Sequence, residues 1–274
     1  MEGQRGEELS LHLGVSERDY ILRTVEEKVE AIFAQMTFQP VHDITHTKRV
    51  VDNIKRICAG EIVDNFLAVL CGWLHDIGRL QEQQALKEGR KVFHAEESAK
   101  LIPEILSSFN AEVGCLYVEK IADAVARHSQ LNKPDDSLLT IILKDADRLD
   151  GLGAIGFPRV FAFYPQLPIY NPVNPFTTST TSEAYLKSSG KAYQLEAFQR
   201  NLEWFSLLRT KTAIMIGIPR VILMINFLYQ LADELGYSRS DVNQIEAVKE
   251  ARKMLNENRK LMGSYLQSRP NWIY

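Results

Sequence analysis

Six histidines occur in the 274-residue chain, at positions 12, 42, 46, 75, 94 and 128. Four of them fall on or beside expected helices, close to acidic residues. Imidazole and carboxylate together make a site for a borderline or hard divalent cation. His75 and Asp76 follow the apolar stretch FLAVLCGWL. Two adjacent ionisable residues at the end of a buried helix are costly unless something satisfies them, and a metal ion does so. Helical neighbours point about 100° apart, yet both reach one ion at a helix end. His42 and His46, in HDITHTKRV, are four residues apart and share a helix face. Asp147 closes the apolar segment TIILKDADRLD and is a carboxylate carried inward by a hydrophobic helix. Singly, each of these is an ordinary hydrogen-bonded residue; their joint occurrence in this order is what points to a metal centre.

The elements that must position them read as helices almost throughout. Ser16 with Asp19 suggests a capping box opening a helix that runs towards Gln35. Pro40 precedes a second helix over about 42–59, in which Val50, Ile54 and Ile57 recur at helical spacing. A third spans roughly 62–77, with Gly78 as its stop. Further helices are expected near 95–109, 111–131, 138–149, 193–208, 212–235 and 241–261. No run alternates as a strand, so the chain is expected to be all-α. The segment 164–190 differs: prolines at 165, 168, 172 and 175 exclude regular helix, leaving a long loop of the kind that serves as a lid or binding loop. A short Thr/Ser run lies at 177–182. The glycines of GLGAIGF (151–157) are not a phosphate loop, because they follow a helix and lack the Lys-Ser/Thr; they suit close helix packing beneath the site. Phe161, Phe163 and Tyr164 are better read as core than as the border of a base pocket.

Composition excludes several classes. The apolar fraction of 45% supports a sizeable core, and a net charge of -3 with pI near 6.1 gives no footprint for DNA or RNA polymers. The three cysteines, Cys58, Cys71 and Cys115, have no CxxC spacing and read as reduced thiols. The polar first ten residues contain no apolar leader core, and a cytoplasmic location is expected. Thr212–Ala232 is the one membrane-like stretch, but Pro219, Arg220 and Asn226 interrupt it, and a buried core helix explains it better.

The order His46 in HTKRV, His75-Asp76 in LHDIGR and Asp147 in KDADRLDGLGAIG resembles the HD-domain superfamily of metal-dependent phosphohydrolases. The resemblance covers about 40–165, and more loosely the helices to about 235. The stretch DADRLDGLGAIGFPRVFAF is similar to a small single-domain subgroup, some of whose members are nucleotide pyrophosphohydrolases. It implies an HD-domain helical bundle in one domain: an N-terminal helix and leader at 1–40, a core with the metal site at 41–165, the loop at 166–192, and C-terminal helices at 193–274 packing on the core. It also implies that His46, His75, Asp76 and Asp147 bind a divalent ion (Mn, Mg, Co, Ni, Fe or Zn). His46 is preferred over His42 because it precedes the HxxR pattern completed by Arg49; His42-Asp43 reads as a helix cap with a supporting histidine.

Some members of that superfamily hold two ions with two extra histidines, and His94 in FHAEESAK and His128 in ARHSQ match those contexts. His128 can instead face a substrate phosphate or orient water. Asp76 both ligates and orients water, and Arg49, Lys144 and Arg148 are candidate phosphate-binding cations. Glu96 and Glu97 are better read as helix-start charges than as a general base. An ion in such a site lowers the pKa of bound water towards neutrality and polarises a phosphorus centre. The implied partner is a small phosphorylated substrate, in the first place a nucleotide, with no membrane partner. A dinuclear-iron oxygenase and a catalytically silent metal- or nucleotide-binding module are the alternatives.

Overall fold

The structure, a computed structural model, describes residues 13–37, 41–109, 113–176, 193–261 and 263. His12, the N-terminal leader, the Thr/Ser run at 177–182 and the end of the expected C-terminal helices lie outside the described residues. Among these the chain is helical and contains no strand: α1 (Val15–Phe33), α2 (Ile44–Glu61), α3 (Phe66–Leu74), α4 (Arg79–Lys87), α5 (His94–Ile105), α6 (Cys115–Arg127), α7 (Leu138–Asp150), α8 (Gly153–Phe163), α9 (Gln194–Asn201), α10 (Glu203–Ser206), α11 (Lys211–Leu235), α12 (Arg239–Gln244) and α13 (Glu246–Glu257). The expected all-α bundle is therefore what forms.

α3 explains the arrangement of the first half. Eight of its nine residues are buried, as an all-round apolar helix must be, and α1, α2, α5, α6 and α7 pack around it. Its C-terminal end thus delivers His75 and Asp76 to the centre of the bundle. α2 lies along α7, and α5 along α6. The α2 start is set by Asp43, whose carboxylate accepts the His46 N–H at 3.0 Å, an N-cap that also fixes where His46 enters the helix. Ser137 caps α7 in the same way through the Thr140 N–H.

The helix ends differ from expectation in instructive places. α1 opens at Val15, where the Glu17 carboxylate accepts the Gly14 N–H at 2.7 Å, a cap two residues before the Ser16–Asp19 signal. The third helix starts at Phe66, because Asp64 accepts the Phe66 N–H at 2.8 Å. The segment 193–208 divides into α9 and α10, and 241–261 into α12 and α13. Two helices went unexpected. α4 is mostly polar and buries only Ala85. α8 contains Gly153, Gly156 and Pro158, which read locally as breakers; packing on α11 and α9 holds it in place. Gly156 there is a close-approach position, since a Cβ would fall on the Gly151 carbonyl.

The membrane-like stretch forms α11. By length and composition it is the one described helix apolar enough to cross a membrane. It buries Ala213, Gly217, Ile218, Val221, Met224, Ile225, Leu228 and Ala232 against α2, α7, α8, α12 and α13, as a core helix does. Residues 164–176 carry no helix, in line with their prolines.

Asp145, fully buried on α7, fastens the turn that precedes α11. Its carboxylate accepts the Arg209 N–H, the Thr210 N–H and the Thr210 hydroxyl at 2.7–3.1 Å. Asp145→Ala leaves three donors, two of them buried, without an acceptor and is expected to lower stability by about 3 kcal/mol, read as a shift in the urea midpoint. An unchanged midpoint would show that this anchor is not needed.

Candidate metal centre

Five imidazoles stand in a row where the helix ends meet: His42, His46, His75, His128 and His94, with neighbouring ring centroids 5.2–5.5 Å apart. Each comes from a different place along the chain. His42 precedes α2 and His46 lies in its first turn. His75 and His128 follow the last residues of α3 and α6, and His94 opens α5.

Their outward nitrogens decide what the inward ones can do. The His75 Nδ1 lies 2.8 Å from the Gly72 carbonyl, and the His128 Nδ1 lies 2.7 Å from the Val125 carbonyl. A carbonyl can only accept, so both rings hold their proton on Nδ1 and turn an Nε2 lone pair inward. The His46 Nδ1 donates to Asp150 at 2.7 Å. Its Nε2 lies 3.3 Å from the His75 Nε2, an approach that needs a proton or another cation between the two nitrogens.

Asp76 sits among these rings, 1% exposed. Its Oδ2 lies 3.3 Å from His42 Nδ1, 3.8 Å from His46 Nε2 and 3.7 Å from His75 Nε2. Its Oδ1 lies 3.4 Å from His94 Nε2, 3.9 Å from His128 Nε2 and 3.2 Å from Arg79 Nε. None of these approaches is a hydrogen bond, and both oxygens, with the His94 Nε2, are buried without a partner. The Asp147 Oδ1 lies 3.4 Å from the His46 Nε2, and at 29% exposure Asp147 is the open side of the cluster. Donor atoms of His46, His75 and Asp147 lie within 4.8 Å of one another, as do those of His75, Asp76 and His128, and of His42, His46 and Asp76. Two imidazoles, two carboxylates and an orphaned buried oxygen pair are a donor set that fits a divalent cation. Of the expected ligands, His46 and His75 stand on the Oδ2 side, together with His42, which the sequence assigned a supporting role; His94 and His128 stand on the Oδ1 side.

The charges agree with that fit. Burial pushes His75 down, and His128 to about 3, so both are neutral and ready to coordinate. Burial opposes ionisation of Asp76, but the neighbouring Arg79 guanidinium outweighs it and holds the carboxyl well below its usual range. Burial likewise disfavours a charged His46, yet hydrogen bonds to Asp147 and Asp150 raise its pKa. That proton occupies the place of a cation.

Beyond the cluster opens a cavity of about 640 Å³. At its near end are His42, Asp76, Arg79, His94, His128 and Asp147; the walls carry Arg148, Arg159, Arg200, Phe163, Tyr164 and Trp204. Phe163 and Tyr164 therefore border the cavity, contrary to their reading as core, whereas Phe161 packs with Phe157 and Phe198. Arg148 is 8% exposed. Its guanidinium donates to neutral acceptors, the Asn132 side chain and the Leu207 and Gln130 carbonyls.

Two expected phosphate-binding cations stand elsewhere. Lys144 is fully buried, with Nζ 2.8 Å from Asp136 and 3.1 Å from the Leu131 carbonyl, because it lies on the α7 face turned from the cavity. Arg49 grips Asp150 through Nε at 2.6 Å and Nη2 at 3.0 Å, with Nη1 on Thr45. Neither lines the cavity. His42-Asp43 behaves as a cap and a supporting histidine: Asp43 caps α2, while the His42 Nδ1 lies 3.3 Å from Arg79 Nη2 and faces Asp76. Arg79, Asp150, Arg159 and Trp204 were not singled out from the sequence. Only Arg79 carried a local signal, its place three residues after Asp76.

Residues 43–152 match the HD domain family. No curated protein matches the chain. Among solved structures, a protein from Lactobacillus plantarum is 24% identical with a TM-score of 0.61, over 80% of this chain and 98% of that one. A predicted HD superfamily hydrolase from an uncultured Thermotogales bacterium is 26% identical with a TM-score of 0.51, over 79% and 91%. Bacillus subtilis YpgQ in complex with ADP is 19% identical with a TM-score of 0.57, over 79% and 96%.

An entering cation must displace the His46 proton, so its affinity depends on pH. The raised pKa of His46 means the proton is bound below and through the ordinary imidazole range and lost only above it. Mn²⁺ affinity, measured by competition titration, is expected to climb about tenfold per pH unit through that range and then level off. An affinity independent of pH would contradict the charge state assigned to His46.

Proposed function

With an HD domain across residues 43–152 as the premise, we propose that this protein is a metal-dependent phosphohydrolase acting on a nucleotide, in the first place a nucleoside triphosphate from which it releases pyrophosphate. The observation that carries the reading is Asp76: a buried carboxylate with neither oxygen hydrogen-bonded, ringed by imidazoles, at the inner end of a cavity lined by four arginines. His46, His75, Asp76 and Asp147 hold one divalent ion in this reading. His94 and His128, with the other oxygen of Asp76, hold a second. When bound, such ions supply Lewis acidity and an acidified water.

The protein's own groups do the rest. Arg148 meets only neutral acceptors where it stands, so its charge is available to a phosphate. Arg159 and Arg200 lie on the same cavity, and Arg79 reaches from the Asp76 side. Phe163, Tyr164 and Trp204 offer apolar surface to a base or sugar. A cavity of about 640 Å³ has room for a nucleotide. The ADP held by the structurally similar YpgQ supports a nucleotide over a smaller phosphoester. Four guanidiniums suit an anionic substrate and have no evident use in handling dioxygen, which sets the oxygenase alternative behind.

The test is a phosphate and pyrophosphate release screen over nucleoside mono-, di- and triphosphates and cyclic nucleotides with Mn, Co, Ni, Mg and Fe(II). Metal-dependent turnover is expected, abolished together with metal binding in Asp76→Ala. Silence across the panel with metal bound would overturn the reading. For the active substrate, Arg148→Met is expected to raise KM about tenfold or more, while Lys144→Met destabilises the fold and leaves KM unchanged. A KM that rises only in the Lys144 variant would reverse those assignments.

A further inference from the structure

Asp150 lies one helical turn after Asp147 on α7, and the two carboxylates hold the same imidazole from opposite edges. Asp147 faces the His46 Nε2 at 3.4 Å, and Asp150 accepts from its Nδ1 at 2.7 Å. Asp150 is 1% exposed and contacts neither His75, Asp76 nor any other donor of the cluster among its hydrogen bonds. It receives instead two guanidiniums. Arg49 binds it through two nitrogens, at 2.6 and 3.0 Å. Arg159 donates to its carboxylate and, at 3.1 Å, to its main-chain oxygen, while its other nitrogen reaches the Val41 carbonyl at 2.7 Å.

We propose that Asp150 is the positioning carboxylate of this site, which fixes the tautomer and ring plane of His46 and is itself held by Arg49 and Arg159. The inference rests on the reading of His46 as a metal ligand. The physical logic is that a buried imidazole with a free Nδ1 can flip or move its proton to Nε2, where it blocks coordination. An ionised acceptor at Nδ1 removes both freedoms and makes Nε2 a stronger donor. One such acceptor among neutral carbonyls is what distinguishes His46 from His75 and His128, whose Nδ1 groups meet Gly72 and Val125. Two arginines keep the acceptor charged and fixed at an otherwise forbidding depth. This also assigns Arg49, which does not reach the cavity, to the metal ligand rather than to substrate. Arg159 spans both: it anchors Asp150 and forms part of the cavity wall.

The test uses the full chain with Mn²⁺ alone as probe. The isosteric Asp150→Asn keeps an acceptor but loses the charge, and Asp150→Ala loses both. Mn²⁺ affinity is expected to weaken about 10- to 100-fold, with helicity by circular dichroism unchanged. The imidazole ¹⁵N spectrum of the metal-free protein, recorded at a pH above the loss of the extra His46 proton and with the His46 signals assigned from a His46→Gln variant, is expected to show an Nδ1–H tautomer in the wild type and a mixture in Asp150→Ala. A merely structural role would leave that signature in place. Wild-type Mn²⁺ affinity and tautomer in both folded variants would overturn the proposal. If neither variant folds, Arg49→Gln, at a partly exposed side chain, decides: weakened Mn²⁺ binding supports the proposal and wild-type binding overturns it. If the wild type itself binds no Mn²⁺, the phosphohydrolase reading fails, and the His46 tautomer in the metal-free protein alone judges Asp150.

Discussion

A carboxylate at the centre of a helical bundle has to be neutralised, and Asp76 is placed where only its ring of histidines and one arginine can do so. Both of its oxygens are buried without a hydrogen bond. The cost of such a group in an apolar interior is several kcal/mol, far above what the surrounding packing would leave uncorrected. The whole bundle is organised around this point. The most apolar helix, α3, carries Asp76 inward, and four other helices bring an imidazole or a carboxylate to meet it by their ends rather than their flanks.

Helix ends suit this task for a geometric reason. A side chain on a helix flank faces one neighbour, whereas the ends of α2, α3, α5 and α6 converge on one spot. There the last carbonyls of α3 and α6 remain without helical partners. The Gly72 and Val125 carbonyls of these last turns accept the Nδ1–H groups of His75 and His128, the Val125 oxygen alongside the His128 main-chain N–H. The end of the helix thus orients the imidazole beyond it. His46 lies at a helix start, where no carbonyl is free, and a carboxylate, Asp150, stands in that place.

The arginines divide between two tasks, and burial with partner type separates them. Arg49 is spent on a carboxylate away from the cavity, and Arg79 and Arg159 pair with Asp76 and Asp150 at its edge. Arg148 meets only neutral oxygens within it. Lys144 belongs to neither group; with Asp136 it closes a buried ion pair on the far face of α7. On one helix, Lys144, Asp145, Asp147 and Arg148 thereby serve a buried ion pair, a fastening of the α11 turn, the histidine cluster and the cavity.

The all-α class and most helix positions were legible in the sequence, because apolar periodicity places a helix; His46, His75, Asp76 and Asp147 could be singled out because a polar pair ending an apolar run must be compensated, and the fold brings their side chains together. Their order along the chain added the resemblance to HD domains. Helix starts at α1 and α3, the helix α8 and the split of the C-terminal segments were not legible, since a cap a few residues away or a packing partner such as α11 overrides the local signal. Nor could the sequence distinguish Arg49 and Lys144 from Arg148 and Arg159. A cation reads identically whether it meets a buried carboxylate or an open cavity. What decides is which residue stands opposite, and for Arg49 and Arg148 that partner lies 101 and 59 positions away; only tertiary packing brings the two together.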